Sequence, residues 1–224
     1  SLHAQFKTGW EVNEEKESSF AVLYKFNYGS QTGFVGNRII DDKQYYANVT
    51  PTFHTNLSSD NSKLKFGLQL LYNKEREALG NLNFQKEEFV NGAFGEWTGK
   101  MENVTAILGL RGDYHNELGF FASPRATIMF RPSEYHLLKF NGGFGFKTPT
   151  ILTDAFGFLV SNRQVIMPNE LQAEKAFNGG LSYKLDYSLF GMGGTFEAGY
   201  YLTLFQNQLI MNVESPELLK IEYL

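Results

Sequence analysis

The sequence predicts an all-β protein, and within that class an antiparallel transmembrane β-barrel. Three observations predict it: apolar and polar residues alternate along most of the chain, the alternating segments are about ten residues long or longer, and short links between them alternate with long ones. Side chains on a strand point to opposite faces with a period of two, so each segment has one apolar and one polar face. Segments of this length and pattern are typical of strands that cross a membrane.

The alternation is clearest between positions 103 and 147, where three consecutive segments show it with almost no interruption. Their predicted apolar faces carry Val104, Leu108, Leu110 and Tyr114 in the first segment, Phe120, Ala126, Ile128 and Phe130 in the second, and Leu138, Phe140, Phe144 and Phe146 in the third. The residues between them are mostly polar or small. We therefore expect three neighbouring strands with the same two-faced character.

Seven further segments complete a prediction of ten strands. They cover residues 2–10, 19–29, 44–57, 63–73, 89–98, 174–185 and 195–205. In the first segment Leu2, Phe6 and Trp10 share one face, and in the last segment Phe196 and Tyr200 do the same. The segment at 89–98 is less regular than the others.

The links between the segments are of two kinds. Short polar turns are predicted at residues 58–62, 99–102 and 131–134, and long links at 31–43, 74–88 and 148–173. Short turns on one side and long loops on the other are typical of an outer-membrane barrel, whose short turns are periplasmic and whose long loops are extracellular. The link 115–119 is an exception, because it is short but lies on the long side.

Composition excludes several other classes. A formal net charge of −4 and a pI near 5.6 do not favour nucleic-acid binding, which needs a basic face. The 224 residues include no cysteine, so neither a disulfide scaffold nor a thiolate metal site is expected. No stretch approaches 18 consecutive apolar residues, so no transmembrane helix is predicted. A soluble β-sandwich remains an alternative, although its strands are usually only about 5–6 residues long.

Motifs in the second half of the chain resemble those of a known family. They begin at residues 92–97 (GAFGEW), and the stretch 108–115 (LGLRGDYH) followed by 119–125 (GFFASPR) is similar to "GLR-x-DYH … F-SPR". Residues 140–150 (FNGGFGFKTPT) are similar to "S-x-G-x-GFRAPT", with Lys147-Thr148 where Arg-Ala is usual. Residues 171–178 (LQAEKAFN) and 200–208 (YYLTLFQNQ) are similar to "L-x-PEKAWNY" and "DYYRTDFKNQ". In this order and spacing, residues 89–214 resemble TonB-dependent outer-membrane receptors, of the Bacteroidetes type, whereas residues 1–88 fit only as generic barrel strands.

The resemblance implies a barrel of about 22 strands around an N-terminal plug. Residues 1–224 would then form one domain, a partial barrel of about ten strands in which neither a plug nor a TonB box is recognisable. Because lipid does not tolerate open strand edges, we expect residues outside this chain to complete the barrel. The implied location is the outer membrane of a Gram-negative bacterium. The implied partners are the TonB complex (through the plug), outer-membrane lipid and a small or medium-sized solute, with a surface lipoprotein as a further candidate.

The predicted functional residues lie on the polar faces of the predicted strands and in or next to the long link 148–173. The residues predicted to face the lumen are Arg111, Asp113, Arg125, Lys139, Asn141, Asn178 and Glu197. Aromatic and polar residues at the mouth of a barrel can hold a ligand, so the predicted solute contacts are Lys147, Phe156, Phe158, Arg163 and Gln164. The alternative is that the lumen residues are structural and form ion pairs or plug contacts. The four histidines lie far apart in the sequence, and no catalytic group, metal site or cofactor is predicted.

The resemblance also implies a function. A receptor of this family would bind a scarce extracellular solute, such as a ferric siderophore or cobalamin, and import it into the periplasm with energy from TonB, without catalysing a reaction. One alternative is a barrel that serves as a structural or assembly partner in an envelope complex, and another is a soluble β-sandwich binding module. The sequence does not choose among ferric siderophore, cobalamin, haem, oligosaccharide and peptide.

Overall fold

A computed structural model describes residues 1–35, 38–57, 61–80, 82–150, 157–158, 163–166, 168, 170, 172–215 and 217–224. Ten antiparallel strands form one sheet in chain order, and all ten predicted strands are confirmed. They are β1 (Leu2–Asn13), β2 (Ser18–Val35), β3 (Arg38–Asn56), β4 (Ser62–Leu79), β5 (Leu82–Lys100), β6 (Val104–His115), β7 (Gly119–Ser133), β8 (His136–Lys147), β10 (Glu174–Leu189) and β11 (Met192–Gln206). In this order β1 and β11 each keep one edge without a partner among the described strands.

A second, smaller sheet was not predicted. It consists of β9 (Gln164–Ile166), β12 (Leu209–Asn212) and β13 (Leu218–Tyr223), with β13 in the centre. Strands of 3–6 residues are too short to show a reliable alternation, which is why the sequence pattern did not reveal them. Within the described residues, no helix is long and apolar enough to cross a membrane.

Two of the predicted long links are wrong. Residues 31–35 and 38–43, and residues 74–79 and 82–88, continue the strands β2 to β5, which are therefore 18 or 19 residues long. In these extensions the face that is apolar elsewhere becomes polar, and the alternation disappears although the ladder continues. Side chains on neighbouring strands pair across this face: Thr32 Oγ1 donates to Asp41 Oδ1 (3.1 Å), and Lys74 Nζ lies 2.9 Å from Glu87 Oε2.

The two faces of the large sheet differ sharply in exposure. One face, called here the apolar face, presents large apolar side chains to the outside, including Leu110 (62% exposed) and Phe120 (69% exposed). The opposite face, called here the polar face, contains buried polar and charged side chains such as Glu88, Asp113 and His115. A band of exposed apolar side chains this extensive is stable against lipid and unfavourable against water.

Aromatic side chains form two rows on the apolar face. One row lies near the short turns, on β1 to β4, and the other lies on β2 to β5 where the polar extensions of these strands begin. The cross-strand ring contacts are Trp10–Phe20 (5.8 Å between centroids) and Phe53–Phe66 (5.2 Å) in the first row, and Tyr28–Tyr45 (4.9 Å) and Tyr72–Phe89 (4.8 Å) in the second. Aromatic girdles at both membrane–water boundaries are expected of a transmembrane barrel, and each pair adds about 0.5–1.5 kcal/mol beyond the area it buries.

The small sheet packs against the polar face at the outer end of β3 and β5. Leu219 and Ile221 of β13 are 1% exposed and form a core with Leu209 and with Ile40 of β3, while Phe84 of β5 packs at its edge. Burial raises the pKa of the Tyr223 phenol, whose oxygen accepts from the Gln172 N–H (2.9 Å). The small sheet therefore lies on the polar side of the main sheet. The main sheet curves towards this side, since Lys86 Nζ on β5 reaches Thr148 Oγ1 just beyond β8 (3.0 Å), and the polar face is thus concave.

A charge placed in the middle of the apolar face tests its contact with lipid. We expect Leu108→Arg to lower the free energy of unfolding by about 2–4 kcal/mol, because the guanidinium would lie in the hydrocarbon. Thr127→Arg, at the adjacent level of the polar face, should change it by only about 0.5 kcal/mol. Urea unfolding of the full-length protein in lipid vesicles measures both variants. Equal losses would contradict the assignment of the faces.

Candidate functional site

The strand register brings the seven residues that the sequence predicts to face the lumen onto the polar face. Arg111 on β6 pairs with Ser123 on β7, and Arg125, two residues further along β7, pairs with Gly143 on β8. On its other side, Gly143 pairs with Asn178 on β10. Lys184, on the same parity as Asn178, pairs with Glu197. The whole set is Arg111, Asp113, Arg125, Lys139, Asn141, Asn178 and Glu197.

Arg111 and Asp113 form a forked ion pair on β6. Arg111 Nε donates to Asp113 Oδ2 (2.6 Å), and Nη2 donates to Asp113 Oδ1 and to Gln69 Oε1. The Asp113 side chain is almost fully buried. Gly92 lies opposite it on β5, where a Cβ atom would come 2.2 Å from Asp113 Oδ1. A glycine is therefore required at this position so that the buried carboxylate can lie flat against the neighbouring strand.

Arg125 makes a second, more open ion pair. Its Nη2 donates to Glu96 Oε2 (2.6 Å), and its side chain lies across Gly109, where a Cβ atom would come 2.8 Å from Cγ and Nε. Arg125 is 65% exposed. It borders a cavity of about 380 Å³, which is also lined by Thr50, Lys65, Phe94, Gly95, Leu110, Arg111, Ser123 and Phe144.

A hydrogen-bonded network surrounds the buried carboxylate of Glu88 on β5. Glu88 Oε1 accepts from Lys86 Nζ (2.9 Å) and from His115 Nε2 (3.0 Å), and Glu88 Oε2 accepts from Asn73 Nδ2 (3.0 Å). Asn73 Oδ1 in turn accepts from Gln44 Nε2 (3.2 Å). These five residues, on β3, β4, β5 and β6, are called here the Glu88 network. Because the carboxylate has three donors, its burial is compensated.

The hydrogen bonds of His115 assign its tautomer. Its Nδ1 accepts from the backbone N–H groups of Glu117 (3.1 Å) and Leu118 (3.3 Å), so this nitrogen carries no proton. The proton lies on Nε2, which donates to Glu88. A neutral His115 thus joins the short β6–β7 turn to the network.

Lys86 links the network to the end of β8. Its Nζ donates to Thr148 Oγ1 (3.0 Å) and to the Pro149 carbonyl oxygen (3.3 Å), although β5 and β8 are three strands apart. The contact spans the concave side of the sheet and fixes the beginning of the long link after β8. Beneath it lies a cavity of about 400 Å³, lined by Gln44, Tyr46, Asn73, Glu88, Arg111, Asp113, Phe146, Lys147 and Thr148, among others.

The structure separates the predicted solute contacts. Lys147 lines the cavity beneath Lys86, and its Nζ lies 3.8 Å from Glu174 Oε2. Gln164 belongs to the small sheet, where its N–H donates to the Glu217 carbonyl oxygen (2.8 Å), and Arg163 immediately precedes it. Phe158 is exposed in a short helical turn, and Phe156 lies outside the described residues.

Sequence reasoning missed the Glu88 network. Lys86 and Glu88 lie in the segment 74–88, which the sequence predicts to be a link, and the wide spacing of the four histidines gives no sign that His115 has partners. One signal for the continuing strand was available. Asn73, Glu75 and Glu77 follow the polar positions of β4 at every second residue, beyond the part of the strand whose other face is apolar.

The assignment of Phe146 to the apolar face is wrong. Phe146 stacks on the buried ring of Phe121 (4.1 Å between centroids, 12° between planes) and lines the same cavity as Glu88. The reason is that the paired ladder between β7 and β8 ends at Arg125 and Gly143, so beyond this pair β8 is paired only with β10, and the Phe146 ring lies in the gap beside Phe121.

Three carboxylates crowd together at the outer end of β3 and β4, beyond the aromatic row of Tyr28 and Tyr45. Oxygens of Asp42, Glu75 and Glu77 all lie within 4.8 Å of one another. Burial, and then the neighbouring Asp41, raises the pKa of the Asp42 carboxyl. Crowded carboxylates are common without a metal ion, and we assign none to them.

Removal of the Lys86 ammonium tests whether it holds the end of β8. We expect Lys86→Met to accelerate amide hydrogen exchange about tenfold in the peptide that contains Thr148, because two charge-assisted hydrogen bonds are lost. Lys74→Met, on the apolar face of β4, is the matched control and should leave that peptide unchanged. Mass-spectrometric exchange on the full-length protein in detergent measures both, and identical rates in the wild type and Lys86→Met would disprove the link.

Comparisons with known proteins identify the family. Residues 2–217 match the family model described as "TonB dependent receptor-like, beta-barrel". No curated protein matches the sequence. Among solved structures, a ferric enterobactin receptor (PfeA) mutant from Pseudomonas aeruginosa aligns over 99% of this chain and 39% of its own, with a TM-score of 0.69 and 13% identity. The siderophore receptor PirA from Acinetobacter baumannii aligns over 99% of this chain and 40% of its own, with a TM-score of 0.67 and 11% identity. The FrpB iron transporter from Neisseria meningitidis aligns over 92% of this chain and 38% of its own, with a TM-score of 0.53 and 13% identity.

These structural similarities show a shared fold, and the chain spans about two fifths of the length of these proteins. The family match extends over nearly all of the sequence and agrees with the two-faced sheet and its aromatic rows. The chain belongs to the TonB-dependent receptor-like β-barrel family and is part of a Gram-negative outer-membrane protein.

Proposed function

We propose that the chain is part of the wall of an outer-membrane receptor that binds a scarce extracellular solute and imports it into the periplasm. The observation that carries this proposal is the concave polar face, where two adjoining cavities are lined by cationic side chains from several strands. The polar face would line the interior of the barrel, with the apolar face in contact with outer-membrane lipid. In this role the protein catalyses no reaction.

The charge of the cavities favours an anionic solute. Lys65, Arg111 and Arg125 line the cavity beside Arg125. Arg111 and Lys147 line the cavity beneath Lys86, whose carboxylates Glu88 and Asp113 are paired with Lys86 and Arg111. Glu96 and Asp113 pair with Arg125 and Arg111, but the Arg125 guanidinium remains largely exposed. An exposed guanidinium in a concave site binds carboxylate or catecholate oxygens well, because its donors form a planar fork.

The solute class is proposed from similar proteins. The solved structures that resemble this chain include proteins named as ferric enterobactin receptor, siderophore receptor and iron transporter. This supports a ferric siderophore, with cobalamin as the second choice. The Bacteroidetes subtype remains a prediction.

The proposed contacts of the solute are Lys147, Phe158, Arg163 and Gln164, together with Phe156. Lys147 lies at the outer end of β8 next to the cavity, and Gln164 lies in the small sheet on the same concave side. A solute entering from outside would meet these residues before it reached Arg111 and Arg125. Of the other lumen residues, Lys139 and Glu197 are exposed, and Asn178 accepts from Thr203 (2.7 Å).

The proposed energy source is the TonB complex, acting through a plug domain of the kind that the family resemblance implies. A surface lipoprotein remains a further candidate partner. The test is uptake of a radiolabelled ferric siderophore by cells that produce the full-length protein, with and without a functional TonB. Binding should persist and uptake should cease without TonB. Uptake that continues would contradict the proposal, and absence of binding to every solute offered would favour a structural or assembly role.

Charge reversal at Lys147 tests the proposed outer contact. We expect Lys147→Glu to weaken binding of an anionic ferric siderophore about tenfold, because an attractive charge becomes repulsive in a partly enclosed cavity. Lys184→Glu, near the opposite end of the polar face and paired with Asp186, is the matched control and should stay within about twofold. Fluorescence titration of the full-length receptor measures both. Unchanged affinity in Lys147→Glu would remove Lys147 as a contact.

A further inference from the structure

The ladder between β7 and β8 opens before either strand ends. Its last pair towards the outer side is Arg125 with Gly143, yet β7 continues back to Gly119 and β8 continues forward to Lys147. Pro124, which immediately precedes this pair, has no N–H to donate to a neighbouring strand. The outer half of the wall is therefore split between these two strands, while β7 remains fully paired with β6 and β8 with β10.

A split of this kind is costly in a membrane, because backbone groups without a strand partner have no water to bind in hydrocarbon. The stacked rings of Phe121 and Phe146 fill part of it. A cavity of about 130 Å³ remains, lined by Phe120, Phe121, Ala122, Ser123, Phe144, Gly145, Phe146, Lys175 and Gln206. Apolar side chains and backbone groups without a strand partner therefore lie together in the split, at the same depth in the membrane.

A cation lies at the outer end of this cavity. Lys175, the second residue of β10, places Nζ 5.5 Å from the centroid of the Phe121 ring. The residue is exposed, and within the described part of the chain its ammonium makes no ion pair. Phe120 and Phe144, on the apolar face beside the cavity, are also largely exposed. Lys175 thus places an ammonium over the buried Phe121 ring, beside a cavity that the exposed Phe120 and Phe144 also line. Near the outer end of a membrane-spanning strand, it lies at the depth of lipid headgroups.

We propose that the split between β7 and β8 binds a phosphate-bearing lipid of the outer leaflet. The phosphate oxygens accept from Lys175 and from backbone N–H groups that the interrupted ladder leaves without a strand partner. One acyl chain covers Phe120 and Phe144. The charge is complementary, since Lys175 supplies a cation without a protein carboxylate and the lipid phosphate supplies the anion.

The test is native mass spectrometry of the full-length receptor in detergent, titrated with phosphatidic acid. The wild type should retain one phosphatidic acid molecule, and Lys175→Gln should weaken this binding about tenfold by removing the charged donor. Gly145→Leu should weaken it as well, because the new side chain fills the cavity from a position where a Cβ atom meets nothing within 4 Å. Lys43→Gln, an exposed lysine at the outer end of β3, is the matched control and should bind like the wild type.

The outcomes separate lipid from other ligands. Diacylglycerol with the same acyl chains, and inorganic phosphate, should not be retained. Equal retention in the wild type, Lys175→Gln and Gly145→Leu would overturn the proposal, as would equal loss in Lys43→Gln, which would indicate non-specific lipid around the barrel. Retention of inorganic phosphate in place of the lipid would also overturn it. Because lipid retention is measured without any solute, its failure is distinguishable from a failure of the import proposal.

Discussion

The structure depends on the requirement that backbone N–H and C=O groups be paired wherever they meet hydrocarbon. An unpaired group there costs several kcal/mol, so a strand is stable in the membrane only beside another strand. The continuous order from β1 to β11 satisfies this requirement along most of the sheet. Among the described residues the exceptions include the free edges of β1 and β11, the interruption between β3 and β4 at Thr50 and Pro51, and the split between β7 and β8. The edges of β1 and β11 agree with a wall that other strands complete.

The ladder also decides the chemistry of each face. A slip of one residue in β6 would move Leu108 and Leu110 inwards and expose Arg111 and Asp113 to lipid. For the arginine alone that would cost about 2–4 kcal/mol at the centre of the membrane. The strand register that keeps these leucines in lipid therefore also places the charged side chains on the concave side. The candidate site on the polar face is a consequence of this register.

Glu88 and Asp113 persist as buried charged groups on the concave side because the hydrogen-bonding capacity of each is satisfied there. Glu88 has three donors, and Asp113 accepts a forked guanidinium beside Gly92. Removing one partner from such a group costs more than forming the pair contributes, since the remaining charge is left in a poor solvent. Arg125 and Lys147 are more open, which is why we place solute binding there and structural roles at Glu88 and Asp113.

Much of this fold could be predicted from the sequence where lipid imposes a pattern. Leu64 to Tyr72 alternate because one face meets hydrocarbon, whereas Lys74 to Glu77 lie beyond it and lose the alternation while remaining in the same strand. The location of Arg111 and Asp113 on the polar face could be predicted. Their forked ion pair opposite Gly92 could not, because it depends on which residue of β5 lies beside Asp113. Glu88 and His115 meet only through the tertiary pairing of β5 with β6. The open ladder at Arg125 had only Pro124 as a local signal.

The most direct test of the central claim is a comparison of spin labels on the two faces of β6 and β8. A label is placed at Leu110→Cys on the apolar face and at Asn141→Cys on the polar face of the full-length protein in lipid vesicles, and residues 1–224 contain no other cysteine that would compete for it. Electron paramagnetic resonance with a lipid-soluble and a water-soluble relaxing agent then reports the surroundings of each label. The account predicts that oxygen relaxes the label at 110 and that a nickel chelate relaxes the label at 141. The opposite pattern, or equal access of the chelate to both labels, would contradict it.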